Sequence, residues 1–236
     1  MKNIEDIKNI FYINLDTRPD RKSRFEEEMK KLGLQANRFN AVKNKSGAIG
    51  CSISHLTLLK YARDNKLDHI VIMEDDITFI NPEVFINSLN NFLSSEISFD
   101  VLLLAGNNMA PYTKVNDYCV KIQKCQTTTG YLVKQHYYDN LIKNFEEGIH
   151  NLTLNLNNTN DYAIDQYWTK LQLVDNWFLL IPLTVTQRPD YSNIEKRITN
   201  YNMVMLDLDK IHLRNIGMIK KRQILSNSMK EIINNT

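Results

Sequence analysis

Three consecutive carboxylates, Glu74, Asp75 and Asp76, close an apolar run in the stretch "HIVIMEDD". Acidic groups crowded together repel one another and lose solvation on burial, so they need water, a cation or a positive partner to stay ionised. The run before them, residues 69–73, reads as a strand covered on both faces. Residues two apart on a strand project the same way, which predicts Glu74 and Asp76 on one side and Asp75 on the other. Two hard oxygen ligands side by side suit Mg2+ or Mn2+, which take few protein carboxylates and fill their octahedron with water and substrate phosphates. A diphosphate is the natural third partner. The reading without chemistry is a solvated acidic loop.

A second group lies in "NLDTRPDR", where Arg18, Arg21 and Arg24 crowd the first turns of a helix. A helix N-terminus attracts anions, and guanidinium groups bind phosphates or stack on bases. Arg21 and Arg24 have an ordinary alternative in pairing with Glu27 and Glu28 along the helix.

Such groups act together only if a fold gathers them. Residues 10–15 form an apolar run that stops at Asp16, Thr17 is the expected N-cap of the helix that follows, and Gly33 its expected stop. A short strand in "ANRFNAV" precedes a helix in "AIGCSISHLTLLKYARDN", with Ile49, Ile53, Leu56 and Leu59 along one stripe. The strand at residues 69–73, a helix opening at Pro82 and a strand in "FDVLLLAG" continue the alternation. Strands alternating with helices predict an α/β fold with a mostly parallel central sheet flanked by helices. Beyond Gly106, strands are expected in "DYCVKIQKC" and "TTGYLV". A helix is expected in "KQHYYDNLIKNFEEG", a polar loop in "NLTLNLNNTN", and helical period in "YAIDQYWTKLQ". Two strands split at Pro182 follow. One domain over residues 1–194 with a C-terminal extension over 195–236, helical in "KKRQILSNSMKEI", accounts for the pattern.

The chain has 236 residues, of which 43% are hydrophobic and 24% charged, enough for a substantial core. Its 29 Lys and Arg against 27 Asp and Glu leave a net charge of +2, which gives no reason to expect a nucleic-acid partner. No apolar stretch reaches the roughly 20 residues of a spanning helix, and the first ten residues lack a signal-like apolar segment. The expectation is a cytoplasmic chain, with the basic amphipathic stretch 220–230 as a docking or membrane-surface helix or as an ordinary packed one. Cys51, Cys119 and Cys125 show no paired spacing and read as reduced, buried thiols.

Seven stretches, "FYINLDTRPDR", "RFNAV", "IGCSISH", "VIMEDD", "TTTGYLV", "AIDQYW" and "TVTQRPDYSNI", together resemble glycosyltransferase family 25 in order and spacing. That family includes lipooligosaccharide galactosyltransferases and collagen galactosyltransferases. The resemblance implies a GT-A-like nucleotide-sugar-binding fold, a UDP-sugar donor, Mn2+ (or Mg2+) and inversion at the anomeric carbon. Implied acceptors are a glycan or the hydroxylysine of a collagen-like protein.

By position, the resemblance implies Glu74 and Asp76 as metal ligands, with Glu74 and Asp75 also at the donor. It adds Asn14, Leu15, Arg18 and Arg21 for the nucleotide, Ser54 and His55 as a motif pair, and Thr128, Thr129 and Gly130 beside the sugar. Gln187 and Ser192 approach or close over the diphosphate. Asp165 is the implied general base on the acceptor hydroxyl, with Gln166 beside it and Trp168 as a flat surface for a sugar ring. Ala48 and Asn193 depart from a Glu and an Asp common in the family. A sugar nucleotidyltransferase is the competing enzyme, but it should carry a glycine-rich loop where "NLDTRPDR" has none; an inactive binding module is the non-enzymatic alternative.

Overall fold

The computed structural model of the chain describes residues 1–192 and 197–211. It opens with strand β1 (Ile10–Asn14), helix α1 (Pro19–Leu32), β2 (Asn37–Asn40), α2 (Gly47–Asp64), β3 (His69–Glu74), β4 (Ile77–Phe79) and α3 (Pro82–Ser94). It continues through β5 (Val101–Leu103), β6 (Asn107–Asn108), β7 (Tyr112–Lys114), β8 (Cys119–Ile122), β9 (Cys125–Gln126), β10 (Gly130–Lys134) and α4 (Tyr138–Leu154). Three single-turn helices follow, α5 (Thr159–Tyr162), α6 (Ile164–Tyr167) and α7 (Thr169–Gln172). The described chain ends in β11 (Trp177–Leu180), β12 (Val185–Gln187), β13 (Asp190–Ser192), β14 (Arg197–Thr199) and α8 (Asn202–Met205).

An eight-stranded sheet in the order β2-β1-β3-β10-β5-β11-β8-β7 forms the centre. Strands β2, β1, β3, β5, β11 and β7 run one way, while β10 and β8 oppose them. The expected α/β fold with a mostly parallel sheet flanked by helices is therefore what the chain has. Its two faces follow the strand alternation. Val71 and Met73 face α1 and α3 through Phe25, Met29, Phe85 and Phe92; Ile70 and Ile72 face the layer that includes Leu58, Leu59, Leu141 and Phe145. Burial of both faces explains why β3 reads as an unbroken apolar run.

Several expected boundaries move. Helix α1 starts at Pro19 with Arg18, not Thr17, at the N-cap, because proline suits the first helical position; Gly33 ends it at φ 66, as expected. Helix α4 runs through Leu154, into the stretch expected to be a polar loop, since Leu152 is fully buried on its inner face. The helical period after residue 158 is broken at Ala163, whose ψ of 145° is extended. Strand β10 inserts antiparallel between β3 and β5 and brings Gly130 opposite Met73. Of the expected C-terminal extension, β14 pairs with β13 and Met205 of α8 is buried in the core; the basic stretch 220–230 and Asn193 lie outside the described residues.

Candidate active site

Strands β1 and β3 are neighbours and end on the same edge, so the acidic triplet faces the opening turn of α1. The alternation expected for the triplet does not occur. Strand β3 stops at Glu74, and Asp75 and Asp76 form the turn into β4. Freed from the pleat, both aspartates reach one guanidinium: Arg21 Nη1 donates to Asp75 Oδ1 at 2.9 Å and to Asp76 Oδ2 at 3.3 Å. Arg21 Nε also donates to Asp190 Oδ2 at 3.2 Å, and Arg18 Nη2 to the same oxygen at 2.8 Å. Arg24 stands farther off, 3.7 Å from Asp190 and 44% exposed. The ordinary alternative of Arg21 pairing with Glu27 or Glu28 gives way to this cluster.

Burial pushes both turn aspartates toward protonation. Asp76 rises to about 8, because desolvation and the neighbouring charge of Glu74 outweigh the attraction of Arg21. Asp75 rises less against Arg21 and Asn14, whose Nδ2 donates to Asp75 Oδ2 at 2.7 Å. Asp190 behaves oppositely: desolvation is offset by the Tyr191 N–H, Arg18 and Arg21, and its carboxyl sits below the ordinary range.

Glu74 is held by other partners. The Thr128 hydroxyl donates to its Oε1 at 2.5 Å, Gln187 Nε2 to its Oε2 at 3.0 Å, and His55 Nε2 lies 3.5 Å from Oε1. Desolvation opposes ionisation here, but His55, Thr128 and Arg21 prevail, so Glu74 stays below its usual value. His55 is fully buried between Glu74 and Tyr131, whose hydroxyl is 2.8 Å from His55 Nδ1.

Asn14, 1% exposed, ties the loop after β1 together: its Nδ2 donates also to the Arg18 carbonyl, and its Oδ1 accepts from Arg38 Nε. Leu15 contributes its carbonyl to the Arg18 N–H. Asp165 lies at the start of α6, accepts the Thr127 N–H at 3.1 Å, and is raised by burial with the charge of Glu74 adding to the shift. Gln166 Oε1 accepts from Gln126. Ser192 ends β13, one residue from Tyr191, whose carbonyl takes a hydrogen bond from Arg21.

Four expected site residues are structural instead. Trp168 has no exposed surface: its indole packs against Tyr131 and Trp177 and donates to the Cys125 carbonyl, so no sugar ring can stack on it. Ser54 is buried, donating to the Gly50 carbonyl and accepting the Val42 N–H. Thr129 is buried and its carbonyl accepts the Glu74 N–H. Gly130 does permit close approach, but of Ile77: a Cβ there would lie 2.9 Å from Ile77 Cδ1. Conversely, Asp190, Arg38 and Tyr131 belong to the network without having been singled out for it. Asp190 could have been suspected only from its place in "QRPDYS", since its arginine partners lie more than 160 residues away.

One atom bears on a hard cation. Asp76 Oδ1 is buried and has no hydrogen-bond partner; a divalent ion supplies what such an oxygen lacks. Asp76 therefore fits Mg2+ or Mn2+ through that oxygen, with Asp75 beside it in the turn. Cys51 is partly buried and the other two cysteines fully so, all unpaired as expected.

Fold and site together define an α/β protein with a carboxylate and arginine cluster at the strand ends, where open sheets of this class bind their ligands. The chain belongs to glycosyltransferase family 25, described as an LPS biosynthesis protein family, whose sequence pattern matches residues 45–168. The match includes the acidic triplet and Asp165 but not the arginines of α1. A glycosyltransferase 25 family member of Drosophila pseudoobscura pseudoobscura is 25% identical over 159 residues, 53% of this chain and 25% of that protein. A candidate glycosyltransferase of Haemophilus influenzae is 42% identical over 52 residues, 22% of this chain and 18% of that protein. The chain thus spans about a quarter or less of the length of these relatives. A glycosyltransferase involved in glycosylating the major capsid of PBCV-1 superposes with a TM-score of 0.45 at 9% identity, covering 80% of this chain and 90% of that one. No helix among the described residues is long and apolar enough to cross a membrane.

Proposed function

We propose that the chain is an inverting glycosyltransferase that moves a sugar, galactose or glucose, from a UDP-sugar to a hydroxyl of a glycan or of a collagen-like protein. The observation that carries the reading is the partnerless, buried Asp76 Oδ1 beside Arg21, within a chain of this family. Asp76, with Asp75 beside it, would hold a divalent cation, Mn2+ or Mg2+, which would supply neutralising charge for the departing diphosphate. Arg18 and Arg21 bind the phosphates, exchanging their carboxylate partners for the ligand. Asn14 fixes the loop that carries them, and Gln187 and Thr128 keep Glu74 oriented behind the turn. Asp165, whose raised proton affinity suits a base, accepts the proton of the acceptor hydroxyl as it attacks the anomeric carbon and the UDP oxygen leaves. Inversion needs no protein nucleophile, and none is invoked. Residues 1–194 carry this chemistry, and residues 195–236 extend it.

A panel of UDP-sugars tested for Mn2+-dependent hydrolysis and thermal shift checks this without an acceptor. One or more sugars should release UDP with Mn2+ and not with chelator. If no UDP-sugar is turned over or stabilises the chain with Mn2+ present, the reading fails.

A further inference from the structure

Behind the acidic turn lies a second set of ligand atoms of a different character. Cys51 and His55 stand one turn apart on α2, so their side chains share one face of the helix and meet the end of β3. Cys51 Sγ is 3.9 Å and His55 Nε2 3.5 Å from Glu74 Oε1. The three ligand atoms lie within 4.8 Å of one another. His55 has no exposed surface, and its Nε2 is a buried nitrogen without a hydrogen-bond partner, turned toward that oxygen.

We propose that Cys51, His55 and Glu74 form a binding site for one borderline-soft divalent cation of the Zn2+ type. Tetrahedral zinc with bonds near 2.0 Å to nitrogen and oxygen and 2.3 Å to sulfur places those ligands roughly 3.3 Å (N to O) and 3.5 Å (S to O) apart. The two spacings to Glu74 Oε1 exceed these by a few tenths of an ångström, and Cys51 Sγ and His55 Nε2 lie within 4.8 Å of each other, a closure within reach of side-chain rotation. The other ring nitrogen already has its outer partner: with Nδ1–H donating to the Tyr131 hydroxyl, Nε2 presents its lone pair to the metal. Glu74 Oε1 accepts both the Thr128 hydroxyl and the Cys51 thiol, and loss of the thiol proton on binding would free the second position for the metal. Binding converts the Cys51 thiol to a thiolate and releases its proton to solvent, and three protein ligands leave the fourth position to water. The donor set separates this site from the hard-oxygen one: thiolate and imidazole select zinc-like ions, whereas Asp75 and Asp76 suit Mg2+ or Mn2+. The assignment goes beyond the proposed transfer reaction and does not depend on it.

Titration of the chelator-treated chain with Co2+, followed by displacement with Zn2+, tests the site without donor or acceptor. The expected result is a tetrahedral visible spectrum with a near-ultraviolet thiolate-to-cobalt band, lost in Cys51→Ser. Zn2+ affinity in that variant should fall by more than the roughly 10–100-fold typical of losing an outer partner, with the melting temperature confirming the fold. In the unmutated chain, Zn2+ should protect Cys51 from alkylation, which reads the same ligation with no substitution. Absence of the thiolate band, a band that survives Cys51→Ser, or alkylation of Cys51 unchanged by Zn2+ would overturn the proposal.

Discussion

Arg21 and Asp190, 169 residues apart in sequence, are joined by a 3.2 Å contact from Nε to Oδ2. Through it the first helix after β1 is fastened to the hairpin after β12, and the guanidinium that holds Asp75 and Asp76 is itself held. Asp190→Asn leaves the shape and removes the charge that Arg18 and Arg21 share. With Asp190 about one-fifth exposed, the expected loss is about 1–2 kcal/mol at pH 7, between the surface and the buried case. The folded-state pKa is depressed below the ordinary 3.8, so this stability exists above that value and disappears as pH falls through the folded one. Denaturant melts of both proteins from pH 7 to pH 3 should therefore converge; a constant gap would mean that the charge is not what matters.

Asp76 carries the opposite sign. Its folded value of about 8 lies above the ordinary 3.8, so between those limits the folded chain holds a proton that the unfolded chain has released. Stability from this group is complete at low pH and is lost as pH rises toward 8, at no more than about 1.4 kcal/mol per pH unit. In chelator, the wild type should lose more stability than Asp76→Asn between pH 5 and pH 8. Asp76→Asn should also abolish metal-dependent UDP binding while keeping the fold, and Glu74→Gln should weaken it less. UDP binding with Mn2+ at wild-type affinity in Asp76→Asn would remove the turn as the metal site.

The contrast between these residues shows what was legible. The covered strand β3 announces itself because burial on both faces demands an apolar run, and the carboxylates at its end could only be a site or a turn. Asp75 and Asp76 form a turn, and the pleat rule misassigned their directions because it holds only while ladder hydrogen bonds continue, which they do not past Glu74. Position on the strand edge was readable; the partners were not, since Arg21 meets Asp190 only after the whole sheet has formed. The apolar faces of β1, α2 and β3 follow local periodicity, whereas β10 between β3 and β5 is a long-range pairing that no local pattern encodes. Trp168 failed for a related reason. An indole next to a motif carboxylate suggests a platform, but its N–H finds the Cys125 carbonyl, and that bond lets the ring be buried completely.

Trp168→Phe tests that correction. It removes the bond to Cys125 O and part of a ring packed against Tyr131, Phe145 and Trp177, at an expected cost of about 1–3 kcal/mol. Acceptor KM and turnover of the folded fraction should stay within a few-fold of wild type. A large rise in acceptor KM without loss of stability would restore the ring to the acceptor site.

Gly130→Ala probes the packing beneath the acidic turn. The added methyl would meet Ile77 Cδ1 at 2.9 Å, and Ile77 is buried at the start of β4, directly after Asp76. The side chain has to shift in a filled core, which typically costs about 1–3 kcal/mol. Donor affinity should weaken along with stability, because the turn moves with Ile77. Paired with Ile77→Val, which relieves the clash, the variant should recover part of both; failure of that rescue would show that the glycine serves the ligand and not the packing.

Asp165 is the most exposing test of the proposed chemistry. It lies at the start of a single-turn helix, accepts the Thr127 N–H, and is raised by burial with Glu74 adding to the effect. In Asp165→Asn the side-chain carbonyl can still accept that N–H, so the loop from Thr127 to Thr128 should keep its place. What disappears is the capacity to take a proton. Turnover should fall by the roughly 10²–10⁴-fold typical of removing a general base, while UDP affinity and melting temperature change little. If Asp165 instead only anchors the Thr127 loop, stability and donor affinity should drop together and turnover only modestly. Measuring all three on one variant separates the two roles, and transfer within a few-fold of wild type would take Asp165 out of the mechanism.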